Sequence, residues 1–107
     1  MEGMTFMEIV KKNNEDGIVL ELTGKLDTNT APELETAITN LLVSDEVKNL
    51  ELDMAGITYL SSAGLRVLLA TQKKINALQG QLVITNASKT LKEVFEITGF
   101  MGILTIA

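Results

Sequence analysis

Apolar residues recur at every second position in two early stretches of the chain. Met7 and Ile9 mark residues 5–11 as one strand, and Ile18, Leu20 and Leu22 mark residues 18–23 as another. Residues 13–17 supply a turn between them, so the pair is predicted to be an antiparallel hairpin whose second strand ends at Gly24. The period then changes. Thr30-Ala31-Pro32-Glu33 has the order of a capping box, and Leu34, Ala37, Ile38, Leu41 and Leu42 follow as the apolar stripe of a first helix. A period of two returns at Leu50, Leu52 and Met54, which alternate with Glu51 and Asp53 before the small-residue segment 55–58. A second helix is predicted over residues 62–78 from Leu65, Leu68, Leu69, Ile75 and Leu78, with Gly80 as its stop. Residues 81–85 read as a fourth strand. Thr90-Leu91-Lys92-Glu93 repeats the capping-box order and opens a third helix carrying Leu91, Val94, Phe95 and Ile97; it stops before Gly99, leaving residues 103–106 as a last short strand.

The resulting order, β-β-α-β-α-β-α-β, predicts an α/β fold with a mixed β-sheet and helices packed mainly on one face. Crossover helices favour parallel neighbours, so the opening hairpin alone is expected to add an antiparallel edge. Three helices cover one face of such a sheet, and the other is expected to be partly open or used for contact.

Composition narrows the chemistry. The 107 residues, 46% of them hydrophobic, suit a single domain spanning 1–107 with one core. A net charge of −5 opposes binding to a phosphate backbone, so no direct nucleic-acid contact is expected. No apolar run reaches the roughly 18 residues of a membrane span, and the first residues lack the charged-then-apolar order of a signal peptide. Neither membrane insertion nor export is expected, which leaves a cytoplasmic location. The chain has no cysteine and no histidine, which removes thiolate nucleophiles, imidazole bases and the usual zinc ligands. Glu51 and Asp53 would be the carboxylates left for acid–base work, but their alternation with Leu50 and Leu52 accounts for them as the polar side of a strand. No catalytic residue, metal ligand or cofactor is predicted, and the five methionines read as core fillers.

What remains is the strand–loop–helix passage at Ser61 and Ser62. A serine at a helix start ordinarily caps it, and Ser62 is placed there. Gly64, one turn in, costs a helix up to about 1 kcal/mol relative to alanine. Close approach of a partner and tight packing on the sheet explain it equally well. Arg66 is expected on the exposed side of the same turns.

Leu52-Asp53-Met54-Ala55-Gly56-Ile57-Thr58-Tyr59-Leu60-Ser61-Ser62-Ala63-Gly64-Leu65, with Thr23-Gly24-Lys25-Leu26-Asp27-Thr28 upstream, resembles the STAS domain family, and within it the anti-sigma factor antagonists. That resemblance implies a binding protein rather than an enzyme. Its unphosphorylated form would hold an anti-sigma factor that is itself a serine kinase and so free a sigma factor; phosphorylation would block binding, and a serine phosphatase would reset the chain. The family's phosphoserine lies two residues before the motif glycine, which carries over to Ser62. The aspartate after the second strand carries over to Asp27. The implied binding surface comprises Asp27, Thr28, Ser61, Ser62, Ala63, Gly64 and Arg66. The chain departs from the best-known members in having Ser61 where they have aspartate and Ala63 where they have a hydroxyl residue, which makes Ser61 a competing acceptor. Two other functions compete with this one. A STAS accessory subunit of a membrane transport system would share the fold and dock without a cognate kinase. A nucleotide-using enzyme is suggested only by the anion-friendly helix start.

Overall fold

A computed structural model describes residues 7–15, 17–44 and 48–107. They form five strands, β1 (Met7–Asn13), β2 (Ile18–Leu26), β3 (Asn49–Leu60), β4 (Gln81–Thr85) and β5 (Thr105–Ile106), and three helices, α1 (Ala31–Ser44), α2 (Ser62–Ala77) and α3 (Lys89–Ile97). The sheet order is β1-β2-β3-β4-β5, with β1 antiparallel to β2 and every other pair parallel. Each parallel crossover steps to the next strand in the same direction, so connections of one hand lay their helices on one face. Burial agrees. Ile18, Leu20 and Leu22 of β2, Leu50, Leu52 and Met54 of β3, and Leu82 and Ile84 of β4 share one core with Leu34 and Ile38, Leu65, Leu68 and Ile75, and Leu91 and Phe95 from the three helices.

Among the described residues no helix packs over the opposite face. Its polar side chains pair with one another: Thr85 Oγ1 donates to Glu51 Oε2 at 2.8 Å, Asn86 Nδ2 donates to Asp53 Oδ1 at 3.0 Å, and Lys12 lies 3.1 Å from Glu21. Glu51 and Asp53 are thus each engaged with a different neighbour as the polar side of β3. No helix among the described residues is long and apolar enough to cross a membrane.

Several predicted boundaries move. Positions 5 and 6 of the first strand, and position 16 of the turn, lie outside the described residues. β2 does not stop at Gly24; the glycine takes φ 116° inside the strand, which runs on to Leu26. Thr30 does not use its oxygen as a capping box would. The buried hydroxyl turns back to the connection before α1, donating to the Lys25 carbonyl at 2.6 Å and accepting from the Asp27 N–H at 2.9 Å. Ser88 caps α3 through Leu91 N–H at 3.1 Å, so Thr90 is already helical, and Ile97, predicted on the apolar stripe, is 85% exposed. The last strand keeps only Thr105 and Ile106. A 3-10 turn at Phe100–Gly102 takes up the preceding chain, with Leu104 N–H bonded to the Phe100 carbonyl at 2.8 Å and Leu104 buried. Met7 and Met54 do fill the core, whereas Met101 is exposed.

The end of α2 departs from prediction in a way that can be measured. Leu78 is not a core residue but an exposed C-cap; Gln79 N–H bonds to the Asn76 carbonyl and Gly80 N–H to that of Ile75, both at 3.0 Å. That pair of bonds is a Schellman motif, whose left-handed position falls on Gln79 (φ 60°) rather than Gly80. Gly80 is required for another reason, since a Cβ there would run into the Lys48 carbonyl. Left-handed backbone is unfavourable for a residue with a Cβ, so Gln79→Gly is expected to stabilise the fold by about 0.5–1 kcal/mol, net of the entropy glycine adds to the unfolded chain. Urea denaturation checks this: the midpoint should rise with an unchanged slope.

Candidate functional site

The site begins with an irregularity in β3. Its inward-facing residues are Leu50, Leu52, Met54, Ile57 and Leu60, so a step of two twice becomes a step of three. The register against β2 slips at the same places, between Glu21 and Thr23 and between Gly24 and Lys25. Each slip is an extra residue in β3, a bulge of the kind that bends a strand and re-aims its end. Gly56 permits the first, because a Cβ would sit 2.7 Å from Thr23 Oγ1 and 2.8 Å from the Leu22 carbonyl. After both slips Leu60 lies opposite Leu26, and Ser61 N–H donates to the Leu26 carbonyl at 2.9 Å. Asp27 and Ser61 therefore leave the carboxyl ends of adjacent parallel strands side by side, the place where α/β sheets commonly build their binding sites.

From there the chain enters α2 at Ser62, as predicted, but the cap lies one residue earlier than expected. Ser61, not Ser62, is the N-cap: it has extended backbone (φ −97°, ψ 173°), and its Oγ accepts from Gly64 N–H at 3.3 Å. Ser62 is the first helical residue and is exposed, with its hydroxyl not used for capping. Because β3 continues to Leu60 and hands its ladder to Ser61, the capping duty falls on the residue next to the ladder. Removing this cap should cost what such caps usually contribute. Ser61→Ala is expected to destabilise by about 1 kcal/mol, whereas Ser62→Ala should stay within about 0.5 kcal/mol of wild type, as read by thermal melts.

Gly64 resolves its two readings in favour of packing. A Cβ there would lie 2.7 Å from Leu26 Cγ and 2.8 Å from Leu60 Cδ1, the residues that end β2 and β3. The glycine lets the helix start sit directly on both strand ends, and being buried it offers no surface to a partner. Asp27 organises the other side. Its Oδ1 accepts from Asn29 N–H at 2.9 Å and Thr30 N–H at 3.2 Å, and its carbonyl accepts from Ala31 N–H at 2.8 Å, which together shape the turn into α1.

Between α1 and α2 runs an open groove of about 470 Å³. Thr28, Pro32 and Glu35 line one wall, and Ala63, Arg66 and Lys73 the other. The structure thus brings Thr28, Ala63 and Arg66 to one groove, whereas Asp27, Ser61, Ser62 and Gly64 do not line it. Lys73 and Glu35 were not anticipated. The available signal was helical spacing, since Arg66, Ala70 and Lys73 are four and three residues apart and share a face. Tyr59 was also passed over. It is 51% exposed and pairs with Lys25 across the strands beside the turn. Among the described residues no group of three or more acidic, histidine or cysteine side chains is placed to hold a metal ion.

Comparison with known proteins gives this geometry its relatives. The family model described as STAS domain matches residues 8–107. BtrV of Bordetella bronchiseptica, named as a candidate anti-sigma factor antagonist, is 36% identical over 86% of this chain and 79% of its own length. The anti-sigma-B factor antagonist of Listeria monocytogenes is 31% identical over 91% of this chain and 84% of its own. The crystal structure of an anti-sigma factor antagonist from Mycobacterium paratuberculosis superposes with a TM-score of 0.82 at 25% identity, covering 94% of this chain and 84% of that one. With its sheet order, its bulged third strand leading into a serine pair and these relatives, the chain belongs to the STAS domain family, in the group of the anti-sigma factor antagonists.

Proposed function

We propose that this chain is a phosphorylation-controlled binding protein: unmodified, it captures an anti-sigma factor that is a serine kinase and thereby frees a sigma factor. Phosphate on Ser62 ends the capture, and a serine phosphatase restores it. One observation carries the reading. Ser62 presents an exposed hydroxyl at the first position of α2, relieved of capping by Ser61 and next in sequence to Ala63, which lines the α1–α2 groove. A kinase needs such a hydroxyl, accessible and not engaged in holding the fold. Ser61 is the poorer acceptor because its oxygen already receives the Gly64 N–H. The names carried by the relatives support the same role.

In this reading Asp27, Thr28, Ser61, Ser62, Ala63 and Arg66 make the docking surface, with Gly64 seating the helix beneath them. No catalysis by this chain is involved, and the exchange takes place in the cytoplasm, where kinase and sigma factor meet. The test is a pull-down from a lysate of the source organism with wild type and Ser62→Asp as baits. Aspartate in the first turn suits the helix dipole, so the variant should stay folded. Wild type alone should retain a small ATPase-type kinase. Equal profiles for the two baits, or recovery of transport components by both, would reject the switch and favour a transport accessory subunit.

A further inference from the structure

Arg66 stands four residues after Ser62 on α2, one turn along the same face. It is exposed on the groove wall, and among the described residues it has no carboxylate within ion-pair distance. The first turn of α2 carries no acidic side chain. The other charged groups near this turn are Asp27, Glu35, Lys73 and Lys25, the last on β2 opposite Tyr59. Asp27 Oδ1 is already occupied by two backbone N–H groups; Glu35 belongs to the opposite wall, and Lys73 lies about two turns further along α2.

Resting on the reading of Ser62 as the modified residue, we infer that Arg66 is a shared receptor: it binds a carboxylate of the docked partner while Ser62 is free, and the Ser62 phosphate once it is added. An anion at one position with a cation four residues later is the favourable order on a helix, and a guanidinium meets a phosphate through two parallel N–H···O bonds. Lysine at this position would supply the charge but not the two-pronged fork. Modification then acts twice on the docking surface. It adds a dianion and withdraws the arginine that a partner carboxylate would use. The partner segment that fits is therefore one presenting an aspartate or glutamate to the groove.

The pairing can be read without any partner. Phosphoserine is installed at position 62 during translation, and its 31P resonance is titrated in the wild-type background and in Arg66→Gln. A nearby cation favours the dianion, so the second phosphate pKa is expected to lie lower with Arg66 present, by about half a unit or more. Arg66→Lys should recover only part of that shift. Superimposable titrations in all three proteins would overturn the pairing. With the kinase in hand, unmodified Arg66→Gln is expected to bind about tenfold more weakly, and unchanged affinity would overturn the partner half of the inference. The functional reading fails separately: a shifted titration with no Ser62-dependent kinase in any lysate would leave the pairing standing and remove the switch.

Discussion

Stoichiometric phosphate on Ser62 is expected to weaken capture of the kinase at least a hundredfold while leaving the melting temperature of the free chain within about 4 °C of wild type. The two expectations follow from the same placement. In the free protein the phosphate sits at the exposed first position of a 16-residue helix, where the macrodipole favours an anion by about 0.3–1 kcal/mol. It touches no core residue, and Ser61 continues to cap the helix. In the proposed complex the same group would have to be desolvated in a docking surface expected to include Asp27, and the single charge of Arg66 would offset only part of a dianion. An uncompensated charge buried in an interface costs about 3–5 kcal/mol, and each 1.4 kcal/mol is a factor of ten. Titration calorimetry of both forms against the purified kinase, with differential scanning calorimetry of each alone, makes the measurement. Unchanged affinity would remove Ser62 from the interface. A melting temperature lower by more than about 10 °C would mean that the modification acts by unfolding.

Phe95→Ala should be the most destabilising simple truncation in the chain, at about 3–5 kcal/mol. Phe95 is fully buried, and α3 spans only nine residues, with Leu91 as its other buried side chain. Emptying that position removes the larger of the two anchors holding α3 to the sheet, and the 3-10 turn and β5 follow directly behind it. A domain of this size has a total stability of about 5–15 kcal/mol, so the loss is a large share of it. Ile97→Ala serves as the control on the same helix, because an 85% exposed side chain is expected to change stability by less than about 0.5 kcal/mol. Denaturation midpoints of the two variants should differ widely. A Phe95→Ala cost under about 1 kcal/mol would show that α3 contributes little to the cooperative core.

Local pattern was a good guide wherever one period held without interruption. Residues 81–85 were bounded correctly because Leu82 and Ile84 alternate between clear breakers, and the α1 stripe was correct because Leu34, Ile38 and Leu41 keep a helical spacing. It failed where the period was broken on purpose. The bulges of β3 shift the inward face from even positions to Ile57 and then Leu60, so the alternation read at Leu50, Leu52 and Met54 broke off although the strand continues to a length of 12 residues. Capping was misplaced by one residue at Ser61 and by two at Ser88, since several neighbouring hydroxyls satisfy the same sequence pattern. Which of them caps depends on where the preceding backbone is already bonded.

The amino-acid sequence alone determined the order of the elements, the single-faced core, the exclusion of cysteine and histidine chemistry, and the motif that led to Ser62, because these depend on composition and on spacing along one stretch of chain. The tertiary structure alone decided which serine is engaged and which is free. That choice rests on the Ser61–Leu26 hydrogen bond between adjacent strands and on Gly64 seated against Leu26, contacts between residues 35 and 38 positions apart. It also decided that Arg66 shares a groove with Thr28 and Glu35, because the side-by-side packing of α1 and α2 is set by the sheet beneath them and is written in neither helix.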